Sequence, residues 1–290
     1  MSDPDFIIPS DRLPPGFAER IEQLPEVPAV PRPAATIVLT RPGPGGLEVL
    51  LLKRSRSAGF VPGAYVFPGG LVDREDASED LLARVDGLSP ADASARLALD
   101  AGADPPAVAY YLAAIREAFE ETGILVAHRD DGSHAPNAAT DAAALQCRDD
   151  LLADGSIFAE VLDRIGCRLD GKAVEYIAHW ITPTVEPRRY DTRFFLAAVP
   201  EGTQPELHAA EISDSVWTTP RAALDGNGDG SFPMIFPTIK TLEDLSAFSH
   251  PSEAIEAYRS HSIRTILPTL VRIQGGVGIK IPENGENPSR

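Results

Sequence analysis

The sequence has few of the residues that build disulfide scaffolds and zinc sites. Its 290 residues include two cysteines, Cys147 and Cys167, which fit no CxxC or zinc-ligand spacing. Two cysteines are too few for a disulfide framework, so we expect free thiols in a reducing compartment. The six histidines are scattered along the chain without ligand spacing. A zinc domain or a disulfide-stabilised secreted domain is therefore not expected.

Long apolar runs and an excess of positive charge are also missing. No run of 18 or so apolar residues occurs, so we expect no membrane partner. The opening MSDPDFIIPSDRLPPGF is acidic and proline-rich, unlike a signal or transit peptide, and a cytoplasmic location follows as the expectation. With 26 Lys and Arg against 43 Asp and Glu, the formal net charge is −17, which argues against nucleic acid as a partner. This balance suits an enzyme that neutralises an anionic substrate with bound metal.

The pattern of elements predicts an α+β fold with three segments. Residues 1–33 are rich in proline and predict an N-terminal extended arm. Residues 34–250 predict the main domain, which begins with the strands AATIVLT and LEVLLLKR around a glycine-rich turn. Stretches at about 77–105 and about 140–166 predict helical additions to a mixed β-sheet. Residues 251–290 predict a C-terminal helix and tail.

The stretch AIREAFEETGI, residues 114–124, places three glutamates on a predicted helix. At 3.6 residues per turn, Glu117 and Glu121 share one face, and Glu120 lies beside Glu117. Like charges at this spacing destabilise a helix unless something positive neutralises them. Hard divalent cations prefer such an all-oxygen environment. The alternative for the helix alone is a solvated acidic face balanced by Arg116 and water.

The spacing around these glutamates resembles the Nudix box: Gly, five residues, Glu, seven residues, then Arg-Glu-apolar-x-Glu-Glu-x-Gly-apolar. The second half matches at Arg116, Glu117, Glu120, Glu121, Gly123 and Ile124. In the first half FPGG supplies Gly70, but Asp76 stands where Glu is expected. From Asp76 to Arg116 is 40 positions, where the pattern needs eight, so about 32 extra residues divide the box. Loop-closure entropy grows only logarithmically with length, so this insertion is physically tolerable.

The divided box resembles one branch of the Nudix hydrolases, typified by the mammalian peroxisomal coenzyme A diphosphatase. FPGG, IREAFEETGI and TPTVEPRRYDTRFFLA all resemble that branch, and the resemblance covers roughly residues 34–245. It implies a Nudix α/β/α sandwich with a mixed β-sheet, a helical insertion inside the box and extra helices. It also implies hydrolysis of a nucleoside diphosphate linked to another group.

The resemblance implies a Mg²⁺ or Mn²⁺ site made of three carboxylates and one main-chain carbonyl. The implied metal ligands are Glu117, Glu120, Glu121 and Gly70. Arg116 would pair with a glutamate of this cluster and fix its rotamer. The choice of catalytic base stays open between Glu120 and Glu211. Glu211 lies in LHAAEISDSVW. Asp76 would brace the loop, with one methylene less reach than Glu.

The residues upstream of FPGG are similar to a coenzyme A pattern: Leu-Leu-Thr-x-Arg-Ser/Ala, three residues, Arg, three residues, Gly, three residues, Phe-Pro-Gly-Gly. Leu52 stands where Thr is expected, and Gly59 stands where the second Arg is expected. Loss of an arginine that grips phosphate bidentately is not a neutral change. Two later arginines could compensate by contacting a phosphate, or could pair with neighbouring acids. The candidates for substrate binding are Arg54, Phe67, Arg188 and Arg189.

The leading hypothesis is therefore a metal-dependent pyrophosphohydrolase of coenzyme A or acyl-coenzyme A, giving 3′,5′-ADP and a 4′-phosphopantetheine species. The first alternative keeps the chemistry but takes ADP-ribose, NADH or another nucleoside diphosphate derivative. A non-catalytic Nudix module that senses a nucleotide is the alternative from another class. A homodimer is left open by the sequence.

Overall fold

The chain combines antiparallel strands with helices that are grouped rather than alternating with them. The computed structural model describes residues 3–13, 16–23, 25–55, 62–208 and 212–282. The helices in these residues are α1 (Phe17–Arg20), α2 (Glu79–Leu82), α3 (Pro90–Leu97), α4 (Ala107–Thr122), α5 (Ala142–Ala153), α6 (Phe158–Ile165), α7 (Pro220–Asp229), α8 (Phe236–Leu245) and α9 (Pro251–Arg259). The strands are β1 (Phe6–Pro9), β2 (Arg32–Gly43), β3 (Gly46–Arg54), β4 (Tyr65–Val66), β5 (Gly69–Leu71), β6 (Val85–Asp86), β7 (Ala127–Arg129), β8 (Cys167–Asp170), β9 (Val174–Ile181), β10 (Tyr190–Ala198), β11 (Ile212–Thr218), β12 (Thr265–Ile266), β13 (Thr269–Ile273) and β14 (Gly276–Lys280). The predicted α+β class is confirmed.

The chain divides into two units. The larger unit comprises Ala34–Ile177 and Phe194–Ser262. The smaller unit comprises Met1–Pro33, Ala178–Arg193 and Ile263–Arg290. The sequence-based division at residues 33 and 250 stays a prediction. Among the described residues, no helix is both long enough and apolar enough to cross a membrane.

The larger unit is built on a sheet with the strand order β11-β3-β2-β10-β9. Strands β2 and β3 form an antiparallel hairpin that closes where Gly43 faces Gly46, as the glycine-rich turn predicts. Ile37 and Val38 are fully buried, because an apolar run without alternation suits a strand covered on both faces. Strand β5 pairs with β2 and places Gly70 opposite Ala35. This pairing fixes the glycine turn of the first half-motif against the sheet.

Helix α4 carries the second half-motif and is the most buried helix of the larger unit. Pro106 stands at its N-cap, and Gly123 ends it with a left-handed φ of 67°. Four of its alanines are fully buried, and side chains this small let the helix pack closely against its neighbours: Ala109, Ala113, Ala114 and Ala118. The glutamates occupy its last turns, where the packed helix holds their main chain in place.

The insertion inside the box is connected to the strands on either side of the 140–166 segment by a separate three-stranded sheet with the order β6-β8-β7. Strand β6 belongs to the insertion and pairs in parallel with β8, with Val85 facing Leu169. Arg168 of β8 donates to Asp86 of β6 at 2.9 Å. The 140–166 segment forms two helices, α5 and α6, separated by a 3₁₀ turn at Gly155–Ile157. The two additions to the sheet are therefore one connected substructure.

The smaller unit contains a second three-stranded sheet with the order β1-β14-β13. Its apolar cluster is formed by Phe17, Ile21 and Val277. Strand β12 pairs in parallel with the end of β9, with Thr265 facing His179. The His179 ring contacts Thr265 Oγ1 at 2.9 Å through Nδ1 and Asp191 through Nε2. This polar chain connects β9, β10 and β12 inside the smaller unit.

Candidate active site

The two halves of the divided motif meet where β5 lies against the last turns of α4. The main-chain N–H of Gly69 donates to Glu121 Oε2 at 3.1 Å. A Cβ atom at Gly70 would collide with the carboxylate of Glu117, so this position requires a glycine. The structure thus brings together five sequence-predicted residues of this site from the two halves: Gly70, Arg116, Glu117, Glu120 and Glu121.

Arg116 connects the carboxylates of the motif to one another. Its Nη1 donates to Glu117 Oε1 at 2.9 Å and to Glu120 Oε2 at 3.2 Å. Its Nη2 donates to the main-chain carbonyl of Leu71 at 2.9 Å, just after the glycine turn. The predicted pairing of Arg116 with the glutamate cluster is therefore present in the structure. One guanidinium fixes two glutamate rotamers and one strand end.

Asp76 holds the other side of the Arg116 guanidinium. Its two carboxylate oxygens accept from Arg116 Nε at 2.8 Å and Nη2 at 3.0 Å. Asp76 also accepts from the main-chain N–H of Asp73 at 2.8 Å and caps a 3₁₀ turn. The side chain is 1% exposed. The shorter carboxylate thus reaches its partner in the position where the family pattern has Glu.

Burial dominates the ionisation of this site. Burial raises the pKa of Glu117 to about 7, although the adjacent Arg116 charge lowers it in part. Burial likewise raises the pKa of Glu120 and of Asp76. Burial alone would lower the pKa of Arg116, but its hydrogen bonds to Asp76 and the surrounding carboxylates outweigh burial and raise it. The site holds more negative charge than a single guanidinium neutralises.

The donor set fits a hard divalent cation, since it consists of carboxylates and one main-chain carbonyl. Across the described residues, however, no three acidic, histidine or cysteine side chains are already spaced as a metal-ligand set. Arg116 Nη1 lies between the carboxylates of Glu117 and Glu120 and compensates their charge. A cation would replace part of the charge compensation that Arg116 supplies here.

Arg54 and Phe67 belong to the larger unit, Arg54 at the end of β3 and Phe67 just after β4. The main chain of Arg54 pairs with that of Ala64 and Gly63, which closes the turn between β3 and β4. The Arg54 side chain is half-buried, and Phe67 is 4% exposed. Phe67 therefore contributes to the core, and its role as a substrate contact stays a prediction.

Arg188 and Arg189 belong to the smaller unit and differ in exposure. Arg188 is exposed. Arg189 is buried, with Nε donating to the Thr182 carbonyl at 2.9 Å and Nη1 donating to the Ala29 carbonyl at 2.7 Å. The Arg189 guanidinium is thus engaged by main-chain carbonyls. The role of both arginines in phosphate binding stays a prediction.

Two residues of the sequence analysis, Glu211 and Gly59, lie outside the described residues. The chain preceding Glu211 is anchored at the end of α4, where the N–H of Glu206 donates to the Thr122 carbonyl at 2.8 Å. The residue following it, Ile212, pairs with Arg54. The choice of catalytic base between Glu120 and Glu211 therefore stays open.

Arg148 is a buried residue next to the site, and the motif spacing did not predict it. It lies on α5, and its Nε donates to the main-chain carbonyl of Glu120 at 2.8 Å. Burial lowers the pKa of its guanidinium. One signal was available in the sequence: Arg148 interrupts the buried face of α5 formed by Ala144, Cys147 and Leu151. An arginine on an otherwise apolar helix face requires a specific partner.

Comparison with known proteins identifies the family. The family model of the NUDT19 Nudix domain matches residues 31–245. The chain belongs to this Nudix family. Arg116 to Ile124 is therefore the second half of a Nudix box, Gly70 belongs to the first half, and the insertion divides them. Nudix hydrolases generally use divalent metals, which agrees with the oxygen-rich donor set.

The Nudix relatives include two curated proteins with the same name. The chain is 28% identical over 269 residues to the acyl-coenzyme A diphosphatase NUDT19 of Xenopus laevis, covering 81% of this chain and 70% of that protein. It is 32% identical over 225 residues to the acyl-coenzyme A diphosphatase NUDT19 of Homo sapiens, covering 67% of this chain and 59% of that protein. The chain thus spans about three fifths of the length of the human relative.

A solved Nudix structure supports the fold. The crystal structure of a Nudix hydrolase from Alicyclobacillus acidocaldarius superposes with a TM-score of 0.64 at 30% sequence identity. The superposition covers 79% of this chain and 96% of that one. The predicted Nudix fold and membership of the hydrolase family are confirmed.

Proposed function

We propose that this chain is a Mg²⁺- or Mn²⁺-dependent diphosphatase of coenzyme A or acyl-coenzyme A, forming 3′,5′-ADP and 4′-phosphopantetheine or its acylated form. One observation carries the proposal: Arg116 connects the carboxylates of Glu117 and Glu120 beside the glycine turn that completes the Nudix box. Relatives named acyl-coenzyme A diphosphatase support the choice of substrate.

The metal in this proposal is held by the carboxylates of the α4 glutamates and the Gly70 carbonyl. The proposed ligands are Glu117, Glu120, Glu121 and Gly70. Bound Mg²⁺ or Mn²⁺ supplies charge neutralisation for the diphosphate and activation of an attacking water. Support comes from the all-oxygen donor set and from the burial that raises the pKa of Glu117 to about 7.

The chain's own residues orient the reaction in three ways. Arg116 keeps the main chain after the glycine turn and two glutamate side chains at fixed separations. Asp76 keeps Arg116 in that orientation. Glu120 or Glu211 accepts the proton of the attacking water. Hydrolysis then adds the water oxygen to one phosphorus and releases the other phosphate with the bridging oxygen.

Substrate contacts are proposed for Arg54 and Phe67 of the larger unit, and phosphate contacts, as a separate proposal, for Arg188 and Arg189 of the smaller unit. The second candidate substrate class is ADP-ribose, NADH or another nucleoside diphosphate derivative. Two observations favour it: Gly59 stands where the coenzyme A pattern has Arg, and Arg189 already donates to two main-chain carbonyls. A nucleotide-sensing module without catalysis is the remaining alternative.

The deciding experiment measures release of 3′,5′-ADP from coenzyme A with Mg²⁺, beside a Glu120→Gln variant. Release by the parent that is lost in the variant supports both chemistry and substrate class. Cleavage of ADP-ribose or NADH but not coenzyme A favours the second candidate. Tight nucleotide binding without hydrolysis of any diphosphate favours the sensing module.

A cytoplasmic location and a homodimer complete the proposal. Cys147 and Cys167 are both buried free thiols, which agrees with a reducing compartment. Cell fractionation tests the location, and light scattering of the purified chain tests the dimer.

A further inference from the structure

The C-terminal end of α4 is held by groups from two distant parts of the larger unit. The Gly123 N–H donates to the Phe119 carbonyl at 2.8 Å, as in an ordinary helix end. The next two contacts come from elsewhere: Glu206 N–H donates to the Thr122 carbonyl at 2.8 Å, and Arg148 Nε donates to the Glu120 carbonyl at 2.8 Å. The last carbonyls of a helix have no partners within the helix, so outside donors fix its final turn.

Arg148 differs from the other donors because it is charged and buried. The whole residue is 2% exposed. Its Nη2 has no hydrogen-bond partner among the described residues. A buried guanidinium with an unsatisfied donor is unfavourable for stability, and an apolar side chain on α5 would avoid that penalty. The position is therefore better explained by what the charge does for the adjoining helix end.

The charge of Arg148 lies behind the turn that carries Glu120 and Glu121. A cation at the C-terminal end of a helix is favourable because the main-chain carbonyls there carry partial negative charge. The hydrogen bond from Arg148 goes to a main-chain carbonyl, so Arg148 holds the turn without occupying the Glu120 carboxylate.

We propose that Arg148 is a positioning residue for the metal-binding glutamates, holding the main chain of Glu120 so that Glu120 and Glu121 present their carboxylates together. This inference rests on the proposed metal-dependent function. It gives the helical segment at 140–166 a role: α5 carries the group that braces the second half of the Nudix box from behind.

The test measures Mn²⁺ binding to the metal-free full chain by the EPR signal of free Mn²⁺, without substrate. We expect Arg148→Met to raise the Kd for Mn²⁺ about tenfold or more, as for other residues that orient metal ligands. Arg148→Lys should raise it less, because lysine keeps the charge but not the geometry of the guanidinium. In activity assays of Arg148→Met, kcat at saturating Mn²⁺ should change by a much smaller factor than the Mn²⁺ concentration that gives the half-maximal rate.

Arg164→Met is the matched control. Arg164 lies on α6 and pairs with Asp150 of α5 at 2.7 Å, so the variant removes an arginine from the same helix pair without touching α4. It should lower the melting temperature slightly and leave Mn²⁺ affinity unchanged. If Arg148→Met binds Mn²⁺ with the affinity of the parent, the inference is overturned, whatever the melting temperature of the variant. If Arg148→Met does not fold, a folded Arg148→Lys with parental affinity overturns it equally.

The same preparations separate this inference from the proposed function. The parent could bind Mn²⁺ in a manner that depends on Glu120 and yet release no 3′,5′-ADP from coenzyme A. That result would contradict the proposed substrate, and the Mn²⁺ affinities of the Arg148 variants would still decide the inference. A parent that does not bind Mn²⁺ contradicts both.

Discussion

Asp76 and Arg116 lie 40 residues apart in the sequence and form a buried, two-pronged ion pair, at 2.8 and 3.0 Å. The pair joins the two sides of the insertion, because Asp76 ends the first half of the Nudix box and Arg116 begins the second. It makes the divided motif continuous in space. The integrity of the site therefore depends on one contact between two residues that the insertion separates.

Removing this pair should destabilise the protein. Asp76→Ala leaves buried guanidinium donors without acceptors, so we expect the free energy of unfolding to fall by about 3–5 kcal/mol. Asp73→Ala is the control, since Asp73 is 60% exposed and lies 3.5 Å from Arg116. We expect it to change stability by less than about 1 kcal/mol. Urea unfolding measures both, and equal effects would contradict a special role for Asp76.

A side chain at position 70 should disturb the metal site more than the fold. A Cβ there would collide with the carboxylate of Glu117, a flexible group that can move aside. Gly70→Ala should therefore fold, while its Mn²⁺ affinity falls about tenfold or more. Gly102→Ala is the control, because its Cβ would meet nothing within 4 Å. Calorimetric titration with Mn²⁺ gives the comparison, and parental affinity in Gly70→Ala would refute it.

The metal-free protein should become less stable as pH rises toward neutrality. Burial raises the pKa of Glu117 from 4.5 to about 7, so the native state binds a proton more tightly than the unfolded state. That contribution is complete below about pH 4.5 and is lost as pH rises through about 7. Between these limits the free energy of unfolding should decrease, by this group alone, on the order of 2–3 kcal/mol.

Unfolding of the parent and of Glu117→Gln in EDTA, across this pH range, measures that contribution. The variant should show a flatter profile, because glutamine does not titrate. Parallel profiles for the two proteins would mean that Glu117 titrates normally in the folded chain.

Divalent metal should stabilise the parent against heat and should not stabilise a variant lacking one of its ligands. A ligand that binds only the native state stabilises it by about 2.7 kcal/mol at a hundred times its Kd. We expect Mn²⁺ to raise the melting temperature of the parent and to leave that of Glu121→Gln almost unchanged. A similar rise in both proteins would show that Mn²⁺ binds elsewhere.

The sequence predicted the elements that carry local signals. The α4 helix was recognisable from its opening prolines, its closing Gly123 and its glutamate spacing, and β2 and β3 were recognisable from their apolar runs. Matching spacing also located both halves of the box on either side of the insertion. What spacing could not supply was the rotamers of Glu117 and Glu120, since these depend on Arg116 reaching four partners in space.

Other features had no local signal. Arg148 is distant in sequence from the motif, and its contact with Glu120 depends on how α5 packs on α4. The hairpin of β13 and β14 lies where the sequence predicts a tail, and it is stabilised by pairing with β1 from the other end of the chain. Non-local strand pairing is invisible to periodicity within a short window.

The strand that the insertion contributes makes the insertion hard to remove. Because β6 occupies one edge of β8, and β7 the other, deleting residues 77–105 would expose unpaired main-chain groups along β8. Exposed strand edges promote intermolecular pairing and aggregation. An engineered chain with a contiguous Nudix box would need a replacement edge strand, so shortening this protein means redesigning a sheet and not only trimming a loop.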